Sequence, residues 1–190
     1  MALEQTSDIL SLGFDYGQRH RIELEYADRQ CKRFGVPRKI IRMEWDKPPR
    51  QMPRDRAIEQ IRQGGVSPAF LPGRNLVFLA LGTAQAAGIG AAEVWIGVNS
   101  VDFSGYPDCR EEFVQKFSAA AECGITKAPR IVAPLQNLSK PQIAGRAHRA
   151  GLGFSDTWSC YRPEAGPNGP VPCNSCDACK FHTFAWKDIA

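Results

Sequence analysis

Short apolar runs alternate with longer amphipathic ones along this chain. Ile9-Leu10-Ser11-Leu12-Gly13-Phe14 is a mostly apolar run of strand length, of the kind that suits a parallel strand buried on both faces. Residues 23–34 follow with Tyr26 and Cys31 near one face, joined by Ile22, which predicts a helix ended by Gly35-Val36-Pro37. Lys39–Met43 predicts a second strand. Residues 46–73 are rich in proline and glycine and read as a long loop with one short helix near Arg54–Arg62. Arg74–Ala87 is apolar nearly all round and rich in small residues, which predicts a helix packed closely on a sheet. Strands are predicted at Glu93–Val98 and Arg130–Ala133, and a helix at Phe113–Cys123 between them. Ser139 is placed to cap a helix that runs to Ala150, with Gly151 as its stop. A final helix is expected through Phe181, Phe184 and Trp186.

Strands alternating with helices predict an α/β fold with a parallel sheet covered on both sides. Such folds bind ligands beyond the carboxyl ends of their strands. That rule singles out Asp15–His20, the turn after Met43, Asn99–Arg110 and the region after Pro134.

Composition changes this picture in one respect. The 190 residues are 43% hydrophobic and 23% charged, as in an ordinary soluble domain, and no apolar run reaches the roughly 20 residues of a membrane span. Met1–Gln5 lacks the basic start and apolar core of a secretory signal, so the cytoplasm is expected and no membrane partner. A net charge of +4 suits anionic small ligands. It does not make a nucleic-acid footprint, and an RNA-binding reading lacks the basic stripe with exposed aromatics that it needs. The basic residues of 38–56 are diluted by Asp46, Asp55 and prolines, as in a solvated loop.

The seven cysteines are unevenly placed: Cys31, Cys109 and Cys123 are scattered, but Cys160, Cys173, Cys176 and Cys179 crowd together. The spacing Cys-x12-Cys-x2-Cys-x2-Cys supplies four thiolates, and short loops between them let the chain wrap a tetrahedral zinc ion. A redox Cys-x-x-Cys pair or an iron–sulfur cluster are the other uses of such a set. Four sulfur ligands leave no open position, so this metal is expected to fold residues 156–190 as a zinc-binding element on an α/β domain of residues 1–155.

Three polar stretches carry the remaining chemistry. Phe14–His20 places Asp15, Gln18, Arg19 and His20 just past a strand. Leu71-Pro72-Gly73-Arg74-Asn75 opens a helix whose free N–H groups, with the Arg74 guanidinium, favour an anion. Gly97–Arg110 holds Asn99, Asp102, Tyr106 and Asp108: rings to stack on and carboxylates to accept paired N–H donors, the parts a flat polar heterocycle needs. Cys109 lies in the same stretch, but no local base marks it as a nucleophile, and no catalytic residue is assigned.

Taken together, FDYGQRH at 14–20, PGRN at 72–75, GVNSVDFSGYPDCR at 97–110, Trp158-Ser159-Cys160 and the CxxCxxC tail resemble the 7-cyano-7-deazaguanine synthase family of the PP-loop ATPases. The resemblance implies an adenine nucleotide alpha hydrolase-like (Rossmann-like) parallel-sheet fold with a C-terminal zinc-binding element. It implies a ligase of queuosine biosynthesis, a tRNA modification pathway, that converts 7-carboxy-7-deazaguanine and ammonia to the nitrile with ATP, helped by Mg2+. It also implies a homodimer without direct nucleic-acid contact. By position, Asp15, Gln18, Arg19, Arg74 and Asn75 would serve the nucleotide or acyl group, and Asn99, Asp102, Tyr106 and Asp108 the deazaguanine.

One departure stands out. The family pattern opens with a strand and an SGGxDS loop whose amides cradle pyrophosphate, and neither is present; the only Gly-Gly is Gly64-Gly65, with no strand before it. The expectation is a chain that starts roughly 25–35 residues late, the length of a strand, a loop and most of a helix. Such a chain would be unstable alone or close its sheet differently, each unpaired buried backbone group costing about 1–3 kcal/mol. It would be unable to adenylate substrate unaided: the expectation is the enzyme with its first segment lost to a misassigned start or supplied by another chain, and the alternative is a non-catalytic, zinc-stabilised remnant.

Overall fold

The computed structural model describes residues 1–45, 52–99 and 105–189. They divide into two compact units, Met1–Gln63 with Lys140–Ala190, and Gly64–Ser139. Compactness therefore separates the chain at other points than the expected 155/156 boundary, and the cysteine-rich tail belongs to the same unit as residues 1–63.

In the first unit, β1 (Ser11–Asp15) pairs in parallel with β2 (Arg38–Arg42), Ser11 facing Arg38 and Asp15 facing Arg42. The helix between them, α1 (Ile22–Arg33), packs on β1 and makes the crossover that a parallel pair requires. Acidic Glu23 and Glu25 lie in its first turn and Lys32 and Arg33 in its last, each matching the sign of the helix dipole. A short helix, α2 (Ile58–Gln63), buries Ile61.

In the second unit, α3 (Arg74–Ile89) buries Leu79, Thr83 and Ala86 and packs on β3 (Glu93–Trp95). The small residues read from the sequence explain the fit: Val94 lies 3.7 Å from where a side chain on Gly82 would begin. Gly73, left-handed at φ 75°, turns the chain into α3, a conformation costly to residues with a Cβ. After β3 come α4 (Glu111–Gly124), which buries Val114, and β4 (Arg130–Val132), parallel to β3. Among the described residues, the expected parallel strands thus form two pairs, one in each unit.

The chain then returns to the first unit. α5 (Lys140–Arg149) starts after Ser139 and ends where expected, with Gly151 at φ 81° and its N–H donating to the His148 carbonyl. A hairpin follows, β5 (Glu164–Gly166) against β6 (Gly169–Val171), antiparallel. The last helix, α6 (Asp177–Trp186), packs against α5 and α2. Among the described residues, no helix is long and apolar enough to cross a membrane.

Candidate metal centre and ligand loops

The four tail cysteines converge. Cys160 follows Trp158, Cys173 follows the β5–β6 hairpin, Cys176 precedes α6 and Cys179 lies in its first turn. Asn174, at φ 56°, bends the chain sharply between Cys173 and Cys176. Their sulfurs all lie within 4.8 Å of one another, with Cys160–Cys173 at 3.6 Å, Cys176–Cys179 at 3.5 Å and Cys173–Cys179 at 4.0 Å. Four thiolates at 2.3 Å from one ion stand about 3.8 Å apart at the corners of a tetrahedron. The set therefore fits a single tetrahedral ion.

The surroundings favour the thiolate at Cys173 and Cys176 and oppose it at Cys160 and Cys179. The N–H groups of Arg162 and Cys173 donate to the Cys160 sulfur at 3.3 and 3.4 Å, and the Cys176 N–H donates to Cys173 at 3.4 Å. The Cys160 thiol and backbone donors hold Cys176 down to about 4 against its burial. Cys160 is pushed up by its bond to Cys176 and by burial, and burial first, then the Cys176 thiol, raises Cys179 to about 12. Burial opposes ionisation of Cys173, but the Ser175 and Cys176 donors outweigh it and lower the value. Without a cation the cluster thus keeps its negative charge on part of the set, and a metal ion would have to displace the remaining protons.

This centre is tied to residues 52–57 in a way the sequence reading missed. Arg54 pairs with Cys176 in an isolated antiparallel bridge, Asp55 N–H donates to Ser175 O at 2.9 Å, and Asp177 N–H donates to Pro53 O at 3.1 Å. Arg56 forks onto both carboxylate oxygens of buried Asp177, its Nε reaching Oδ1 at 3.2 Å. The fork raises the Arg56 value further, with burial opposing. Sequence separation of more than a hundred residues hid this pairing.

In the loop after β1, Gln18 is buried and fully engaged. It accepts the Tyr16 N–H at 2.9 Å and donates to the Phe14 carbonyl and to Glu23 at 3.0 Å each, holding the turn shut. Asp15 pairs with Arg21 at 2.7 Å, and Arg19 is exposed. His20 is buried, with its ring on that of Tyr161 at 4.3 Å between centroids.

In the second unit the strand-end loops converge around the short turn Pro107–Cys109. Buried Asp108 accepts the Asn75 N–H at 3.1 Å, so the anion slot at the start of α3 holds a carboxylate of this chain. The Asn75 amide donates in return to the Asp108 carbonyl at 3.2 Å. Tyr106 stacks on Phe70, centroids 5.1 Å apart. Asn99 is buried past β3, and its Nδ2 donates to the Leu135 and Leu138 carbonyls. Its Oδ1 is buried without a hydrogen-bond partner among the described residues. Of the residues expected at a ligand, Gln18 thus holds its own turn and Asn75 the Pro107–Cys109 turn, whereas Asn99 keeps an acceptor open. Asp102 lies outside the described residues.

A four-sulfur centre in the tail and polar loops at the carboxyl ends of parallel strands are the two features that the motifs implied. A family model described as queuosine biosynthesis protein QueC matches residues 1–190. The chain belongs to the QueC family. Curated relatives of this QueC-family chain include 7-cyano-7-deazaguanine synthase 2 of Rhodopseudomonas palustris (strain HaA2), 50% identical over 182 residues, 96% of this chain and 86% of that protein. The 7-cyano-7-deazaguanine synthase of Stutzerimonas stutzeri (strain A1501) is 40% identical over 197 residues, 99% of this chain and 86% of its own length. That of Leptospira interrogans serovar copenhageni (strain Fiocruz L1-130) is 36% identical over 200 residues, 98% and 79%. The family places the chain in queuosine biosynthesis.

Proposed function

We propose that this chain serves the ATP-dependent conversion of 7-carboxy-7-deazaguanine and ammonia to 7-cyano-7-deazaguanine, on a PP-loop type α/β fold in the cytoplasm. The observation that carries the reading is the whole-chain match to QueC, with relatives named for that product. In the proposed reaction a carboxylate oxygen attacks the α-phosphorus of ATP and pyrophosphate leaves, Mg2+ screening the phosphates. Ammonia then adds to the acyl carbon, loses a proton, and AMP departs with the carboxylate oxygen, leaving the amide. The amide oxygen then attacks the α-phosphorus of a second ATP, pyrophosphate leaves, and AMP departs with that oxygen as both N–H protons are lost, giving the nitrile.

The residues have distinct parts in this reading. The open Asn99 oxygen accepts a ring N–H of the deazaguanine, and Tyr106, backed by Phe70, offers the face on which the ring stacks. Asp102 and Asp108 belong to the same substrate loop. Arg74, at the start of α3, faces the negative acyl group, with Asn75 supporting it. Asp15 and Arg19 serve the nucleotide, on a turn that Gln18 holds. We assign zinc to the four cysteines, because four thiolates select it and because a closed site suits a folding role. Zinc supplies cross-linking of the tail here, and the chemistry falls to the loops.

The 190 residues contain no SGGxDS run. That observation favours a second reading for the chain assayed alone, binding of the deazaguanine without turnover. The test is to incubate the zinc-loaded chain with 7-carboxy-7-deazaguanine, ATP and ammonia, measuring binding by calorimetry and AMP by chromatography. Binding without AMP supports the second reading, and AMP with nitrile supports full activity. A folded protein that binds no deazaguanine refutes both.

A further inference from the structure

The motif of the substrate loop ends at Arg110, but the clamp on that loop does not. Gln136, only 5% exposed, lies past β4 and donates its Nε2 to the Cys109 carbonyl at 2.8 Å. Every carbonyl of the turn has a donor: Tyr106 O takes the Cys109 N–H at 3.1 Å, Pro107 O the Arg110 N–H at 3.3 Å, Asp108 O the Asn75 amide, and Cys109 O Gln136. The first two bonds are local and would form in any such turn. The last two fix the turn to the rest of the unit, Asn75 from α3 and Gln136 from β4.

Gln136 stands on a rigid support. Its own N–H donates to Ala133 O at 3.2 Å and Leu138 N–H donates to Leu135 O at 3.1 Å, making two successive turns after β4. The same short segment receives the Asn99 amide at Leu135 and Leu138. Residues 133–138 therefore hold both Asn99 and the Pro107–Cys109 turn that follows Tyr106. The distance between the open Asn99 oxygen and the Tyr106 ring is set through this segment, and the side-chain link that completes it is Gln136.

We propose that Gln136 is a positioning residue for deazaguanine binding, fixing the Tyr106–Arg110 turn relative to Asn99; this rests on the reading of that turn as the substrate loop. Gln136→Met keeps the volume and removes the donor. Gln136→His returns an N–H near the position of Nε2. One lost hydrogen bond to a ligand-bearing turn corresponds to about a tenfold change in affinity.

The experiment measures the dissociation constant of 7-carboxy-7-deazaguanine by calorimetry on the zinc-loaded chain, its Q136M and Q136H variants, and Q136A as a second donor-free variant. Circular dichroism confirms the fold at the same temperature, and hydrogen exchange follows the amides of Cys109 and Arg110. The expected result is roughly tenfold weaker binding and faster exchange in the donor-free variants. Recovery in Q136H to within about threefold is expected as well, which a volume-filling role would not produce. Wild-type affinity in folded Q136M or Q136A would overturn the positioning role alone. Wild-type amides at Cys109 and Arg110 that exchange as fast as open loop would do so without any variant. A folded wild-type chain that binds no deazaguanine would overturn the substrate-loop reading and this proposal with it.

Discussion

Replacing Arg56 by leucine leaves the Asp177 carboxylate buried without its fork. The Asp177 side chain is 4% exposed and that of Arg56 29%. Removing one partner of a buried pair costs about 3–5 kcal/mol. Two features of this pair lower the figure. Asp177 is the first residue of α6, where the helix dipole returns about 0.3–1 kcal/mol. Part of Arg56 also meets water, so the pair sits nearer the low end of the range. A loss of about 2–3 kcal/mol remains, or about 4–12 °C in Tm at this chain length. Because the chain has two compact units, the reporter must belong to the right one: in a Trp95→Phe background, Trp45, Trp158 and Trp186 all lie in the unit that holds the pair. Fluorescence-detected urea unfolding of the zinc-loaded protein then reads its transition. Asp177→Asn combined with Arg56→Leu removes both charges, and the double variant is expected to recover more than 1 kcal/mol of the single variant's loss, by about the coupling of a contacting pair. An Arg56→Leu protein within about 0.5 kcal/mol of wild type would refute the argument, because that is the change of an ordinary surface substitution.

Cys176→Ser is expected to abolish stoichiometric zinc and to unfold the tail, read by metal analysis and by exchange of the α6 amides; unchanged zinc content would exclude the four-sulfur site. Lowering the pH gives a different test. Burial lowers His182 from 6.5, so the unfolded chain takes up its proton first. The stabilisation is complete above 6.5 and falls as pH drops from there toward the lower folded value. His182→Gln is expected to flatten that part of the stability profile, and an unchanged slope would contradict it. Asn99→Ala is expected to weaken 7-carboxy-7-deazaguanine binding by about tenfold or more, since the open acceptor is lost, while Arg130→Gln on the β4 edge of the same unit leaves binding unchanged; equal effects would remove the special role of Asn99.

The parts of this fold that were legible in the sequence are those whose cause is local. α3 declares itself by small apolar residues after Pro-Gly, and α5 by a Gly at its C-terminal end. The four cysteines announce their own convergence, because few other physical reasons gather thiols in so polar a stretch. β3 ends at Trp95, short of the expected Val98, because its partner β4 offers only three residues of register. α2 begins at Ile58, later than the composition suggests, because Pro53–Arg56 is drawn into bonds with the tail. The β5–β6 hairpin was invisible, having glycine, alanine and proline where strand formers are expected; Gly166 is needed there, since a Cβ would meet the Gly169 carbonyl at 2.8 Å. Among the candidate site residues, chemistry alone could not separate those with an open polar atom from those that hold a loop. Gln18, Asn75 and Asn99 carry the same amide and all three are buried, so only their partners distinguish them. Gln136 lies just past the strand end that the topology rule had marked, but no motif surrounds it.

The central claim is that the polar loops beyond β3 and β4 hold a deazaguanine. Calorimetric titration of the folded, zinc-loaded chain with 7-carboxy-7-deazaguanine tests it most directly. Saturable one-to-one binding, weakened by about tenfold or more in Asn99→Ala and retained in Arg130→Gln, is the result the account predicts. A well-folded protein that gives no heat of binding at millimolar ligand would contradict it.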